Sequence, residues 1–344
     1  MKVLVIGGTQ FIGRHVVTQL LAQNHDVTLF NRGKTGPEVF PQLNRILGDR
    51  EQDDLLQISE LRQNWDAVID LCAYFPKSLL RLLETLKGRS GLYVQCSTIS
   101  VYKSSININP SRILSENSEL FECTESEAVD ASMMTYGPRK AECERVARSQ
   151  QYEGIPTVII RPSVVYGEHD HTDRFAYWIW RATRNRKFIL PEAGLTTVQK
   201  TYAPDLAQAF VSALTRPQAV GHAFNVADLF PLSLGSSLGI IGETAGVNSL
   251  ANAISVSAEE LQRLGVGPWS DLPLWIPSTN FLVDTYLARH YLEFVSTPPE
   301  IALKDATEAF LRLKRTPKIG LSEEAETRLI EKLSPNLNAK FHPD

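Results

Sequence analysis

An apolar strand, Lys2-Val3-Leu4-Val5-Ile6, runs straight into a glycine turn, Gly7-Gly8-Thr9-Gln10-Phe11-Ile12-Gly13. A helix beginning Arg14-His15-Val16-Val17 follows. Nothing else in the chain limits the fold as much. A buried strand, a turn without side-chain bulk and a helix N-terminus together make a phosphate cradle, with backbone N–H groups and the positive helix end facing a pyrophosphate. In this strand-then-helix setting the pattern implies a nucleotide cofactor. Gly7 permits the turn, Gly8 keeps the loop open to ligand, and Gly13 lets the helix sit close to the strand. Gln10 stands where a further glycine is common, and its amide could face a phosphate or the substrate.

Strand and helix patterns alternate through the first half of the chain. Val27–Phe30, Ala67–Leu71, Leu92–Cys96 and Thr157–Ile160 read as short, β-branched strands. Pro76–Leu86 reads as an amphipathic helix opened by proline, and Tyr136–Arg148 as another. This rhythm predicts an α/β fold, a Rossmann-type doubly wound parallel sheet with a smaller C-terminal substrate lobe. After Arg161-Pro162 the rhythm breaks. Helices are expected at Arg174–Asn185, Asp205–Thr215, Ser233–Ala245, Ser257–Leu264, Asn280–His290 and Pro299–Leu313, with a short strand at His222–Val226. Residues 1–165, with about 199–226, are assigned to the dinucleotide domain. Residues 166–198 and 227–320 are assigned to the substrate lobe, and 321–344 to a polar tail.

Composition narrows the function classes. With 344 residues the chain can bury one large α/β domain or two smaller ones. A net charge of −4 supplies no basic field for nucleic acid. No apolar run reaches the roughly 20 residues of a membrane span. A strand starting at Lys2 leaves no room for a cleavable signal, so a cytoplasmic location is expected. The four cysteines (Cys72, Cys96, Cys123, Cys143) are widely spaced and form no CxxC pair; Cys72 and Cys96 sit in apolar strand runs and read as small core residues rather than metal ligands.

Tyr136-Gly137-Pro138-Arg139-Lys140 puts a phenol and an amine on one helical face. An ammonium beside a phenol favours the phenolate, which suits acid/base work, and the same lysine can reach a ribose hydroxyl. Upstream, Cys96-Ser97-Thr98-Ile99-Ser100-Val101-Tyr102 places a hydroxyl at a strand's carboxyl end, where open α/β sheets bind ligands. Thr98 could bond a substrate oxygen there, or simply cap the strand. These motifs occur in a familiar order. The chain resembles an extended short-chain dehydrogenase/reductase of the NAD-dependent epimerase/dehydratase type, as far as about Val226. The resemblance implies Thr98, Tyr136 and Lys140 as a catalytic triad. It implies Gly7, Thr9, Gln10, Phe11, Ile12 and Gly13 around the pyrophosphate, Asp49 at the adenine, Leu71 and Ala73 flanking the cofactor, and Pro162 by the nicotinamide.

Departures from that family pattern are informative. The second strand ends in Asn31-Arg32-Gly33-Lys34, with no carboxylate for a ribose 2′-hydroxyl. Arg32 and Lys34 would welcome a 2′-phosphate, so charge favours NADP over NAD. Members acting on nucleotide sugars usually carry Asn within Arg161-Pro162-Ser163-Val164-Val165-Tyr166-Gly167 and Arg seven residues before Asp205; here valines, Val164 and Val198, stand at both places. A nucleotide-diphosphate sugar is therefore disfavoured. His169, Asp170, His171 and Asp173 alternate on a loop, poor geometry for a metal, and Thr172 or Asp173 is expected to cap a helix at Arg174. Tyr177, Trp178, Trp180, Trp269 and Trp275 are equally compatible with core and with an apolar pocket.

Three functions compete. The leading expectation is a reductase that exchanges hydride between a nicotinamide and a small carbonyl or alcohol. An epimerase or dehydratase would use the same groups without net cofactor turnover, but no acidic pair follows Thr98. Stem-loop RNA-binding proteins of chloroplasts and cyanobacteria look similar in their opening, and Lys103 after Tyr102 is shared with them; the negative charge and the Tyr136/Lys140 pair weigh against nucleic acid. A small-molecule substrate and, by family analogy alone, a homodimer complete the expectations.

Overall fold

The computed structural model describes residues 1–52, 55–103 and 113–339. Residues 104–112 and the last five residues of the expected tail lie outside the described residues. In chain order the elements are β1 (Lys2–Ile6), α1 (Ile12–Ala22), β2 (Asp26–Asn31), β3 (Asn44–Leu47), β4 (Ala67–Asp70), α2 (Pro76–Leu86), β5 (Tyr93–Cys96), α3 (Glu125–Val129), α4 (Tyr136–Tyr152), β6 (Thr157–Pro162) and β7 (Val164–Tyr166). There follow α5 (Ala176–Ala182), β8 (Phe188–Pro191), β9 (Lys200–Tyr202), α6 (Ala203–Ala213), β10 (Ala223–Val226), α7 (Leu234–Ala245), β11 (Ala253–Val256), α8 (Ala258–Arg263), α9 (Tyr286–Tyr291), α10 (Pro299–Arg312) and α11 (Glu323–Ala339).

Seven strands form one parallel sheet in the order β10-β6-β5-β4-β1-β2-β3. The period-2 pleat of β1 explains why it is apolar throughout. Val3 and Val5 join one core with Val16, Val17 and Leu20 of α1. Leu4 and Ile6 join the opposite core with Leu79, Leu82, Leu83 and Leu86 of α2. Each such buried aliphatic side chain contributes roughly 1.5–3 kcal/mol. Helix α2 starts on Pro76, whose missing N–H belongs to the unsatisfied first turn in any case. The chain order reverses at β1, between β4 and β2. Ligands bind outside the carboxyl ends of the strands at such a switch point.

Two compact units emerge. The first holds residues 1–165, 200–229 and 283–296, and contains the whole sheet. The second holds 166–199, 230–282 and 297–344. Within it, β8 pairs with β11 in parallel, and Trp178 and Trp275 are buried. Two features depart from the sequence division: 283–296 belongs with the sheet, and α11 packs in the second unit, where Glu326 meets Arg181. The expected helix from Asn280 starts only at Tyr286, because Phe281 bridges Val198 and Val283 bridges Leu114 in extended backbone. No helix among the described residues is long and apolar enough to cross a membrane.

Candidate functional site

The glycine loop is built by close approach as much as by backbone freedom. Gly7 has φ +102°, and a Cβ there would stand 2.9 Å from Cys72 Sγ. Gly8 also has positive φ, but a Cβ on it would strike Leu29 at 2.8 Å and Val17 at 3.2 Å. It therefore faces the core rather than keeping the loop open to ligand. Gly13 packs against the turn itself: its Cβ would lie 2.8 Å from the Gly8 Cα. Thr9 turns its hydroxyl to Thr35 O at 2.7 Å, while Gln10 is exposed. Phe11 is buried with φ +40° and leads into α1, whose N-terminus carries no side-chain cap and no acidic residue in its first turn. Ile12 opens that helix. An uncapped helix end above a turn too tight for a Cβ fits a dinucleotide pyrophosphate.

At the carboxyl end of the second strand, Asn31 closes β2. Its Nδ2 donates to Gly7 O at 3.0 Å and its Oδ1 accepts from Gly33 N at 3.0 Å, tying the second strand's end to the glycine loop. The Arg32 side chain is exposed, with Nη1 4.0 Å from Asp49 Oδ2. Leu71 is half-buried beyond the end of β4, and Ala73 is fully buried. Pro162 ends β6 beside Val226 of β10.

The three residues of the expected triad lie in the same unit. Lys140 is 2% exposed, and its Nζ donates to Ala73 O at 2.7 Å and Cys96 O at 2.6 Å. The amine thus spans the carboxyl ends of β4 and β5. It makes no hydrogen bond to Tyr136 among the described residues; strand-end carbonyls hold the amine. Tyr136, half-buried in the first turn of α4, has its hydroxyl unbonded among the described residues. Thr98 caps the short turn Ile99–Val101: its Oγ1 accepts from Ser100 N and donates to Ser100 Oγ, both at 3.2 Å. This turn rests on α4, since a Cβ on Gly137 would come 2.4 Å from Ser100 O. Glycine at 137 is what brings the Thr98 segment and the Tyr136 turn together.

Behind this face lie buried charges that the sequence reading missed. Arg161 forks onto Glu144, Nε to Oε1 at 2.9 Å and Nη2 to Oε2 at 2.5 Å. Ser97 Oγ donates to the same Glu144 Oε1, and Arg161 Nη1 donates to the Tyr102 hydroxyl at 2.8 Å. Tyr102 in turn donates to Asn225 Oδ1. Burial pushes the Tyr102 phenol up to about 12, against the pull of Arg161. A second pair, Arg50 with Asp70, lies at the carboxyl end of β4, where the Tyr93 hydroxyl also donates to Asp70. A charged residue inside an otherwise apolar strand was the available signal: Arg161 follows Val158-Ile159-Ile160, and Asp70 follows Ala67-Val68-Ile69.

In the second unit, Thr172 and Asp173 do not cap α5, which starts at Ala176 after Phe175. Asp173 instead accepts from Lys318 N at 2.9 Å and pairs with Arg315 at 2.6 Å. Together with His169, Asp170 and His171 it lines a cavity of about 390 Å³ whose other wall is α10. No group of three His, Cys, Asp or Glu among the described residues is placed to hold a metal ion. Tyr177, Trp178 and Trp275 are buried core, whereas Trp269 is exposed.

Comparison with known proteins follows the same line. The profile of the NAD dependent epimerase/dehydratase family matches residues 3–227. The chain belongs to this family. A relative, the chloroplast stem-loop binding protein of 41 kDa b from Arabidopsis thaliana, is 26% identical over 238 residues, 65% of this chain. The match spans 58% of that relative's length. The 4-hydroxy-2-methyl-3-oxo-4-farnesyl-3,4-dihydroquinoline-1-oxide ketoreductase of Stigmatella aurantiaca is 21% identical over 281 residues, covering 79% of this chain and 82% of the relative. Among solved structures, UDP-glucuronic acid 4-epimerase from Bacillus cereus in complex with NAD superposes with a TM-score of 0.69 at 19% identity, over 92% of this chain and all of that one. That likeness establishes the family fold here.

Proposed function

We propose that this family member is an NAD(P)-dependent reductase acting on a ketone or secondary alcohol of a small substrate that is not a nucleotide sugar. The observation that carries the reading is the buried Lys140 ammonium, held by two strand-end carbonyls one helical turn from a phenol with no bonded partner among the described residues. In this reading Tyr136 passes its proton to the reacting oxygen, or takes it in the reverse direction. Thr98, whose hydroxyl already serves the turn beside it, accepts the task of orienting that oxygen. Lys140 has three N–H donors, two of them used by Ala73 O and Cys96 O. The third is left for a ribose hydroxyl.

A bound nicotinamide supplies or accepts the hydride. Gly7, Thr9, Gln10, Phe11, Ile12 and Gly13 would hold its pyrophosphate, Asp49 the adenine side, Leu71 and Ala73 the flank, and Pro162 the nicotinamide side. Asn31 and the exposed Arg32 support NADP as the preferred form; a 2′-phosphate would compete with Asp49 for that guanidinium. Valines at 164 and 198 support a substrate without a diphosphate, and the similarity to a ketoreductase supports net reduction. The first unit would bind the dinucleotide.

NADPH absorbance should fall when a ketone is added, faster than with NADH. Tyr136→Phe should lower kcat by about 10²–10⁴-fold with cofactor affinity nearly intact. Normal turnover by the variant would remove Tyr136 from the proton step. Isotope exchange in a sugar-like substrate with no net absorbance change would favour an epimerase. The similarity to the Arabidopsis protein supports a second reading, binding of structured RNA. Tight, salt-sensitive retention of an RNA hairpin on a filter would favour that reading over the enzymatic one.

A further inference from the structure

Resting on the reductase reading, one aromatic ring beside the triad has no task in it. Tyr74 follows Ala73, the residue whose carbonyl holds Lys140. The chain turns sharply there, Tyr74 N bonding back to Cys72 O at 2.9 Å. Tyr74 O accepts from Arg139 Nη1 at 3.4 Å, and the Arg139 guanidinium lies 4.6 Å over the ring of Phe75. The backbone is thus fixed on both sides of Tyr74 by successive residues of α4. Its ring centroid lies 5.4 Å from Lys140 Nζ. Yet Tyr74 joins neither apolar core of the sheet unit, and 46% of it is exposed.

We propose that Tyr74 is the substrate-selecting wall of the site and that the reacting ketone carries a flat aryl or conjugated body. The Tyr74 ring stands next to Lys140 and Tyr136 lies one helical turn from Lys140, so a ketone brought to Tyr136 comes within reach of that ring. Burial of its hydroxyl, then the neighbouring Cys72 and Tyr136, push the Tyr74 phenol well above the usual tyrosine range. The ring therefore stays neutral at working pH and presents an uncharged aromatic face. Aromatic pairing adds to simple area burial, so a flat ring gains there what a saturated ring of the same size does not.

The test is calorimetric titration of the NADP-loaded protein with acetophenone and with cyclohexyl methyl ketone, which share size and carbonyl but not aromaticity. Acetophenone should bind roughly three- to ten-fold more tightly. Tyr74→Phe should keep that preference and Tyr74→Ala should abolish it, with NADP affinity the same in all three proteins. A wild-type protein without the preference or without binding of either ketone, a preference surviving in Tyr74→Ala, or a parallel loss of NADP affinity would each overturn the proposal. Because the readout is binding, failure of Tyr136→Phe to slow turnover would sink the reductase reading separately.

Discussion

Each unit of the chain buries an arginine–glutamate pair, and the two pairs do different work. In the sheet unit Arg161 and Glu144 are 2% and 0% exposed and meet in a two-pronged fork. Glu144 also holds Ser97, and Arg161 holds Tyr102, so the pair braces the strand end next to Thr98. In the second unit Arg181 and Glu326 are nearly as buried, but their contacts are longer, 3.3 and 3.2 Å. Glu326 accepts from Ile189 N, and Arg181 donates to Leu321 O and lies 3.5 Å over the Tyr177 ring. That pair fastens α11 to α5 and β8. The same chemistry supports a candidate site in one unit and the seating of helix α11 in the other, and only its neighbours tell which.

Removing one partner leaves an uncompensated buried charge, so Glu144→Ala should cost about 3–5 kcal/mol in urea unfolding. It should also lower kcat of the molecules that remain folded, because Ser97 loses its acceptor. Glu326→Ala should lose stability too, by less, while kcat per folded molecule stays at the wild-type value. Equal loss of kcat in both variants would erase the contrast.

A pair of glycines sharpens it. Gly13→Ala forces a Cβ against the Gly8 backbone, and should cost about 1–3 kcal/mol and weaken cofactor binding at least about ten-fold. Gly246, which ends α7 with φ +70° and has nothing near its Cβ position, should cost only about 1–2 kcal/mol as alanine. Cofactor titrations should be unchanged for that second variant; a matching loss would mean that Gly13 acts on stability alone.

The smallest effect concerns pH. Burial raises Glu116 in the sheet unit and Glu326 in the second. A carboxyl raised on folding binds its proton more readily in the native state, so its contribution is full at low pH and is lost as pH rises through the native value. Glu116→Gln keeps an acceptor for Asn225 N and removes that titration. Its melting temperature should therefore fall less than the wild type's between mildly acidic and neutral pH. An unchanged slope would assign the dependence to other groups.

What could be read from the chain was local and periodic. The strand at Lys2, the glycine turn, the helix from Pro76 to Leu86 and the Tyr136/Lys140 spacing each lie within a single local element. What could not be read needed partners far away. Residues 280–285 look helical but are drawn into extended bridges by Val198 and Leu114. The strands Phe188–Pro191 and Ala253–Val256 have four residues each and are defined by pairing with one another. Ser257 caps α8 by accepting from Glu260 N, and the Glu260 carboxylate pairs with Arg263. At the candidate site, Lys140 was legible by spacing, whereas its two carbonyl acceptors and the ring of Tyr74 were set by the meeting of β4, β5 and α4.

The central claim is that a pyridine dinucleotide lies along residues 7–13 with its reactive ring beside Tyr136. A crystal structure of the protein grown with NADPH tests this most directly. The account predicts density for the pyrophosphate at the start of α1 and for the nicotinamide next to the Tyr136 hydroxyl, with the ribose on Lys140. Density placing the nicotinamide away from Tyr136, or a fully occupied cofactor that leaves the glycine loop untouched, would contradict it.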